Sequence, residues 1–143
     1  MYLAFDPGET TGWASFSNDG NIADKGQLNF NDLCSFLDNY CFPIEAVICE
    51  DFRIKRQKAK AFIGNRMETI QAIGAIRAFA SRQKVPYILQ DSGIKSIAEK
   101  WTGVSTKGLP HSQTHWIDAF NHGAYYLVRQ GIRKTRLEDN GKV

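Results

Sequence analysis

The stretch Leu3-Ala-Phe-Asp-Pro-Gly-Glu-Thr-Thr-Gly-Trp-Ala14 decides how this chain is read. Tyr2 to Phe5 is a short apolar, aromatic run that ends on a charge, Asp6, and Pro7-Gly8 forces a turn directly after it. Thr11 to Phe16 has a second strand pattern, and Asn18-Asp-Gly20 reads as a hairpin turn. Asn21 to Leu28 is a third strand, polar enough to lie at a sheet edge. The opening of the chain therefore predicts three consecutive antiparallel strands with an acid at the end of the first.

Further along, the pattern alternates between helix and strand. Asn31 or Asp32 is placed to cap a short helix through Leu37. Ile44 to Cys49 is a nearly continuous apolar run, as expected of a strand buried on both faces of a parallel sheet. From about Gln57 to Gln83 the period becomes helical, with Ile63, Met67, Ile70, Ile73, Ile76 and Ala80 as the apolar stripe. Val85 to Leu89 predicts a strand, and Asp91 or Ser92 caps a helix through Lys100 or Trp101. Thr102 to Pro110 is loop. A last helix starts at His111 or Ser112 and runs to about Val128, with Ile117, Phe120, Ala124 and Leu127 facing the core. The expected architecture is α/β: a mixed five-stranded sheet, three strands antiparallel and two parallel, flanked by helices. One domain spans residues 1–130, and 131–143 is a polar, mobile tail.

The 143 residues, 43% hydrophobic and 23% charged, suit one domain and are too few for a two-domain kinase or a multidomain ATPase. No apolar run approaches the roughly 18 residues of a membrane span, and no signal peptide is expected. Cys34, Cys41 and Cys49 form no CxxC pair, which points to reduced thiols in a cytoplasmic protein, not to a disulfide frame or a zinc site. The net charge of +3 conceals an asymmetry. Up to Asp51 there are nine acids against the single base Lys25, a balance of −8; the remainder carries 17 bases and six acids, a balance of +11. The densest basic run holds Arg53, Lys55, Arg56, Lys58 and Lys60, and Arg66 continues it with no acid between Phe52 and Met67. Such a run is either a solvated face or a phosphate-binding surface. Its place directly after Glu50-Asp51 favours a metal-dependent enzyme acting on a polyanion.

Asp6 and Glu50 end two strongly apolar strands, where open α/β sheets bind ligands and where an unpaired charge is costly. Asp51 alternates to the other face and is the weaker candidate. On the last helix, His115, Asp118 and His122 share one face at i, i+3 and i+7. They read either as a solvated face or as a metal-binding stripe. Asp118 is assigned to the metal site, His115 stays open between ligand and solvated residue, and His122 is placed outside the ligand set as a surface hydrogen-bonding residue. Asp6, Glu50 and Asp118 offer oxygen donors without cysteine, which suits Mg²⁺ or Mn²⁺. Two such ions, about 3.5–4 Å apart, activate water and stabilise the leaving oxygen in phosphodiester hydrolysis.

These residues give the chain a family resemblance. Leu3 to Ala14 resembles the first-strand D-P-G-x-x-x-T-G-type motif of RuvC-like Holliday-junction resolvases in the ribonuclease H-like superfamily. Ile48-Cys-Glu50 is similar to their second acidic strand, and Gln71-Ala-Ile-Gly-Ala-Ile76 to the helix that follows. Ser92-Gly-Ile-Lys95 with Thr102-Gly103 resembles a later V-K…G segment, and His115-x-x-Asp118-Ala119 the closing [DH]-x-x-D-A motif. The resemblance implies a Mg²⁺-dependent endonuclease, two ions per site, that nicks four-way DNA junctions as a homodimer. Asp6, Glu50, His115 and Asp118 would form the catalytic, metal-centred set. Lys95 and Lys107 would lie near the DNA backbone, beside phosphate contacts from Arg53, Lys55, Arg56, Lys58, Lys60 and Arg66. The stretch between Lys107 and His115 is shorter than in cellular members, as expected of a compact, phage-type variant. The alternatives are another ribonuclease H-like nuclease acting on flaps, duplex or RNA–DNA hybrids, and a non-catalytic nucleic-acid-binding module.

Overall fold

Alternation along the strands organises the whole molecule. The computed structural model describes residues 1–52 and 67–140. β1 (Tyr2–Asp6), β2 (Thr11–Phe16) and β3 (Ile22–Leu28) form the antiparallel meander, and β4 (Ala46–Glu50) and β5 (Tyr87–Gln90) lie parallel to β1. The five strands make one mixed sheet in the order β3-β2-β1-β4-β5. Polar β3 takes one edge and is largely exposed there, as its composition predicts.

The odd-numbered side chains of β1 and β4 face one layer of helices. Leu3, Phe5, Val47 and Cys49, together with Trp13, pack against α1 (Phe30–Asn39) and α2 (Met67–Gln83). The even-numbered side chains face the other layer. Ala4, Ala46 and Ile48, with Ala14 and Phe16, pack on α4 (His115–Arg129), which α3 (Lys95–Thr102) flanks.

Several boundaries differ from expectation for local reasons. Asn29 caps α1, not Asn31 or Asp32, its side chain accepting from the Asp32 N–H at 2.8 Å. Val85 N–H donates to Ala80 C=O, so Val85 closes α2 and β5 starts at Tyr87. The residues buried on α2 are Thr69, Ala72, Ile76, Phe79 and Ala80, so the stripe is rotated from the expected one. Met67 and Ile70, assigned to the core, are 65% and 51% exposed, and Ile63 lies outside the described residues. His111–Gln113 forms a separate 3₁₀ turn ahead of α4. The expected mobile tail is anchored through its first part. Arg133 donates to Gly20 C=O at 2.8 Å and lies over the Phe120 ring, and α5 (Arg136–Asn140) packs on α3. The three thiols are free, and no helix among the described residues is long and apolar enough to cross a membrane.

Candidate active site

Strand register brings the first acids together. β1 and β4 run parallel with Phe5 opposite Cys49, and β4 and β5 with Glu50 opposite Gln90. Asp6, Glu50 and Gln90 therefore form one row at the carboxyl ends of three adjacent strands, all on the face that carries Ala4, Ile48 and α4. A two-residue period along each strand suffices to place them there.

α4 delivers the next group, and glycine lets it come close. A Cβ on Gly12 would lie 1.9 Å from His115 C=O, and one on Gly123 would lie 2.3 Å from the Phe16 ring and 2.9 Å from Ala4 Cβ. The Thr11-Gly12 pair thus admits the first turn of α4 against β2. Gln27 on β3 secures the same end: its amide accepts from His115 N–H at 3.1 Å and donates to Ser112 C=O at 2.6 Å. Asp118 and His122, four residues apart, then look from one helix face toward Glu50. Asn121, fully buried, accepts from Thr102 Oγ1 and donates to Val104 C=O, fastening the loop after α3 to α4.

The side chains meet around Glu50. Lys95 Nζ lies 2.9 Å from Glu50 Oε2 and 3.4 Å from Asp118 Oδ2. His122 Nε2 stands 3.3 Å from the same Glu50 oxygen, a loose and imperfectly aligned approach, while Nδ1 is 3.0 Å from Gln90 Oε1. Burial and the neighbouring Glu50 raise the Asp6 carboxyl well above the ordinary carboxylate range. Burial also pushes Glu50 upward, but His122, Asp6 and the Lys95 charge outweigh it and hold Glu50 far below that range. Two carboxyls side by side oppose double ionisation, and the deeper burial of Asp6 makes its charge the more strongly disfavoured of the two. For Lys95 the effect of burial is outweighed by Asp6, Glu50 and Asp118, so its ammonium form is favoured. His115 is lowered by burial and by His111, against the pull of Asp118.

The structure thus joins Asp6, Glu50 and Asp118 around Lys95, which is turned into the carboxylates. His115 lines a groove of about 480 Å³ beside them, bounded by the Pro7–Thr10 loop, Phe52, Thr69 and His111. Lys107 is exposed on the loop ahead of α4, and Arg53, Lys55, Arg56, Lys58, Lys60 and Arg66 lie outside the described residues. Among the described residues no three His, Cys, Asp or Glu donors are drawn together as a ready metal cage; the Lys95 ammonium supplies the positive charge. The donor set still suits a hard divalent ion: oxygen ligands at a half-buried rim, where burial and Glu50 oppose the charge on Asp6 and a stronger cation than one ammonium would favour it.

His122 and Gln90 were not legible as site residues. His122 was expected on a solvated face, yet it is fully buried because α4 is enclosed from Ala119 through Ala124. The available signal was the uncharged run Ala119-Phe-Asn-His-Gly-Ala124, whose small residues mark close packing around the helix.

By sequence the chain matches no protein-family model and no curated protein. By structure it is similar to Thermus thermophilus RuvC in complex with a Holliday junction substrate, with a TM-score of 0.61 and 16% identity over 94% of this chain and 98% of that one. A second T. thermophilus RuvC structure aligns over the same shares with a TM-score of 0.58 and 16% identity. The fold is ribonuclease H-like. On that RuvC-like sheet, the Asp6–Glu50–Gln90 row occupies the ends of the three parallel strands β1, β4 and β5, β5 lying at the edge, and α4 crosses the face over β2, β1 and β4.

Proposed function

We propose that the chain is a Mg²⁺-dependent, structure-selective DNA endonuclease that resolves four-way or related branched junctions by phosphodiester hydrolysis. The observation that carries this reading is the convergence of Asp6, Glu50 and Asp118 on a RuvC-like sheet, with a cation already drawn between two of them. Asp6, Glu50 and Asp118, with His115 at the groove, would hold two Mg²⁺ ions, Mn²⁺ substituting. Bound there, the ions would activate water and stabilise the leaving oxygen. With positive charge bound there, Asp6 would be ionised, its proton passing to solvent, and Lys95, no longer needed by Glu50 and Asp118, would be free to approach a phosphate oxygen. His115, held toward its neutral form by burial, would either ligate an ion or, where it does not, orient the attacking water.

The basic residues from Arg53 to Arg66, with Lys107, position the polyanion through phosphate contacts. A homodimer supplies the two sites that paired nicks require, and exposed Met67 and Ile70 on α2 offer apolar surface for a second copy. The short Lys107–His115 connection, one 3₁₀ turn, supports a compact, phage-type variant working in the cytoplasm of a bacterial or phage-infected cell.

Incubation with Mg²⁺ and labelled four-way junction, flap, duplex and RNA–DNA hybrid tests the reading, with Asp6→Asn as control. Paired, symmetric junction nicks that vanish in Asp6→Asn are expected. Equal cutting of plain duplex overturns junction selectivity, and the absence of Asp6-dependent cutting overturns the nuclease.

A further inference from the structure

We infer that His122 and Gln90 are positioning residues that hold the Glu50 carboxylate from beneath, so that it stays aimed at the metal position when Lys95 leaves; this rests on the metal-site reading above. His122 has no exposed surface, and it sits in the stretch of α4 from Ala119 through Ala124 that is enclosed throughout. An aliphatic side chain would satisfy that packing at no polar cost, whereas a buried imidazole must find partners for both nitrogens. One nitrogen finds a partner, and the other is held close to the carboxylate without a well-aligned hydrogen bond. Nδ1 faces the Gln90 amide at 3.0 Å, and Nε2 faces Glu50 Oε2 at 3.3 Å and has no other partner among the described residues.

The chemistry of the two ends fixes the hydrogens. A carboxylate oxygen only accepts, so Nε2 carries the N–H that points at Glu50. Gln90 can present either its oxygen or, after a half-turn of the amide, its NH₂, and so completes Nδ1 whichever role that nitrogen takes. A neutral amide also adds no second negative charge beside Glu50. Gln90 is itself fixed: it stands opposite Glu50 in the β4–β5 register, and its C=O accepts from Asp51 N–H at 2.7 Å.

Lys95 and His122 thus hold the same oxygen in different ways. Lys95 reaches it from a flexible side chain that is 28% exposed, on the side from which a cation would come. His122 reaches it from a packed helix and remains after Lys95 moves. A buried partner of this kind orients a metal ligand, and its removal typically weakens metal binding about 10–100-fold.

The test is Mn²⁺ binding to the DNA-free protein, by calorimetry and by electron paramagnetic resonance, followed by nicking rates over a Mn²⁺ series. His122→Leu, which fills the space without a donor, should weaken Mn²⁺ binding about 10–100-fold and raise the Mn²⁺ needed for half-maximal nicking, while the rate at saturating Mn²⁺ largely recovers. His122→Gln, which restores an N–H, should regain part of the affinity, and Gln90→Leu should weaken it in the same direction. Wild-type Mn²⁺ affinity in His122→Leu overturns the inference; should that variant not fold, wild-type affinity in both His122→Gln and Gln90→Leu does so. If the wild type binds no Mn²⁺, or Asp6→Asn and Glu50→Gln bind it unchanged, the metal site itself is overturned and the inference with it.

Discussion

Cys49 and Glu50 are neighbours in sequence and belong to opposite faces of the sheet. Cys49 points into the bulky layer of Leu3, Phe5, Trp13, Ile76 and Phe79, where burial pushes its thiol up to about 12 and leaves it an inert core side chain. Glu50 points to the face built of Ala4, Ala14, Ala46 and Ile48, where Lys95 and His122 keep it ionised. The first face is packed for volume. The second is packed for approach: small side chains let α4 lie close to the strands, and the strand ends project past them as carboxylates. One alternating pattern therefore builds a core and a carboxylate rim from the same strands. The comparison predicts that variants on the two faces separate stability from activity.

The widest separation is expected for Asp6→Asn, which should cut the nicking rate about a thousandfold, worth about 4 kcal/mol of barrier, in single-turnover assays at saturating Mg²⁺. The same change should stabilise the metal-free protein at neutral pH. The folded-state value of Asp6 is raised above its ordinary 3.8, so the native state keeps a proton that the unfolded chain has released. Stability is then full below about pH 4 and falls as the pH climbs toward the folded value; asparagine removes that fall. Thermal melting against pH, without metal, checks the sign: a variant no more stable than wild type at pH 7 shows that Asp6 is not penalised there. Phe5→Ala, one residue earlier on the opposite face, should do the reverse. Phe5 is fully buried, so truncation should cost about 3–5 kcal/mol in chemical denaturation, with Mn²⁺ affinity of the folded fraction close to wild type.

How much of this was legible follows from the same alternation. The positions of Asp6, Glu50 and Asp118 at strand ends and on a helix face could be read from sequence because a strand's two-residue period and a helix's 3.6-residue period place them without knowledge of neighbours. Met67 and Ile70 were misplaced because α2 carries apolar side chains around much of its circumference, so spacing alone could not choose between Ile70 and Ala72 for the buried side. The mutual contacts of Lys95, His122 and Gln90 with Glu50 and its neighbours were hidden for another reason. Their importance depends on which residue of a different element stands opposite, and register between β4, β5 and α4 is a property of the assembled sheet. The resemblance placed Lys95 toward DNA; its observed contacts are with the carboxylates.

Gly12→Ala probes the close approach directly. The added Cβ would meet backbone, His115 C=O and Trp116 N, so neither partner can rotate away. The start of α4 must move, at about 1–3 kcal/mol of stability, and Asp118 must move with it. Mn²⁺ affinity should fall along with stability, unlike in Phe5→Ala, where the two part. Gly123→Ala is the control farther along α4: its Cβ would meet the buried Phe16 ring and the fixed Ala4 Cβ, so it should also cost stability, at a point remote from the first turn of the helix. Equal stability losses without any change in Mn²⁺ affinity would place Gly12 in the core alone and blur the distinction between the faces.

The smallest effect is expected at the centre of the site. Lys95→Gln removes the positive charge lying 2.9 Å from Glu50 and 3.4 Å from Asp118, at a partly buried position. The metal-free protein should lose about 1–2 kcal/mol at neutral pH, between the values typical of exposed and buried pairs. The sign follows from the raised Lys95 value: its stabilisation is complete below the ordinary 10.5 and fades only as the pH rises through the folded value, so the loss should be flat across neutral pH. Saturating Mn²⁺ should then raise the melting temperature of Lys95→Gln by more than that of wild type, because the bound ion supplies the missing charge without first displacing an ammonium. If the deficit persists undiminished in Mn²⁺, Lys95 and the metal do not exchange places. The positive charge between Glu50 and Asp118 would then be a permanent part of the rim.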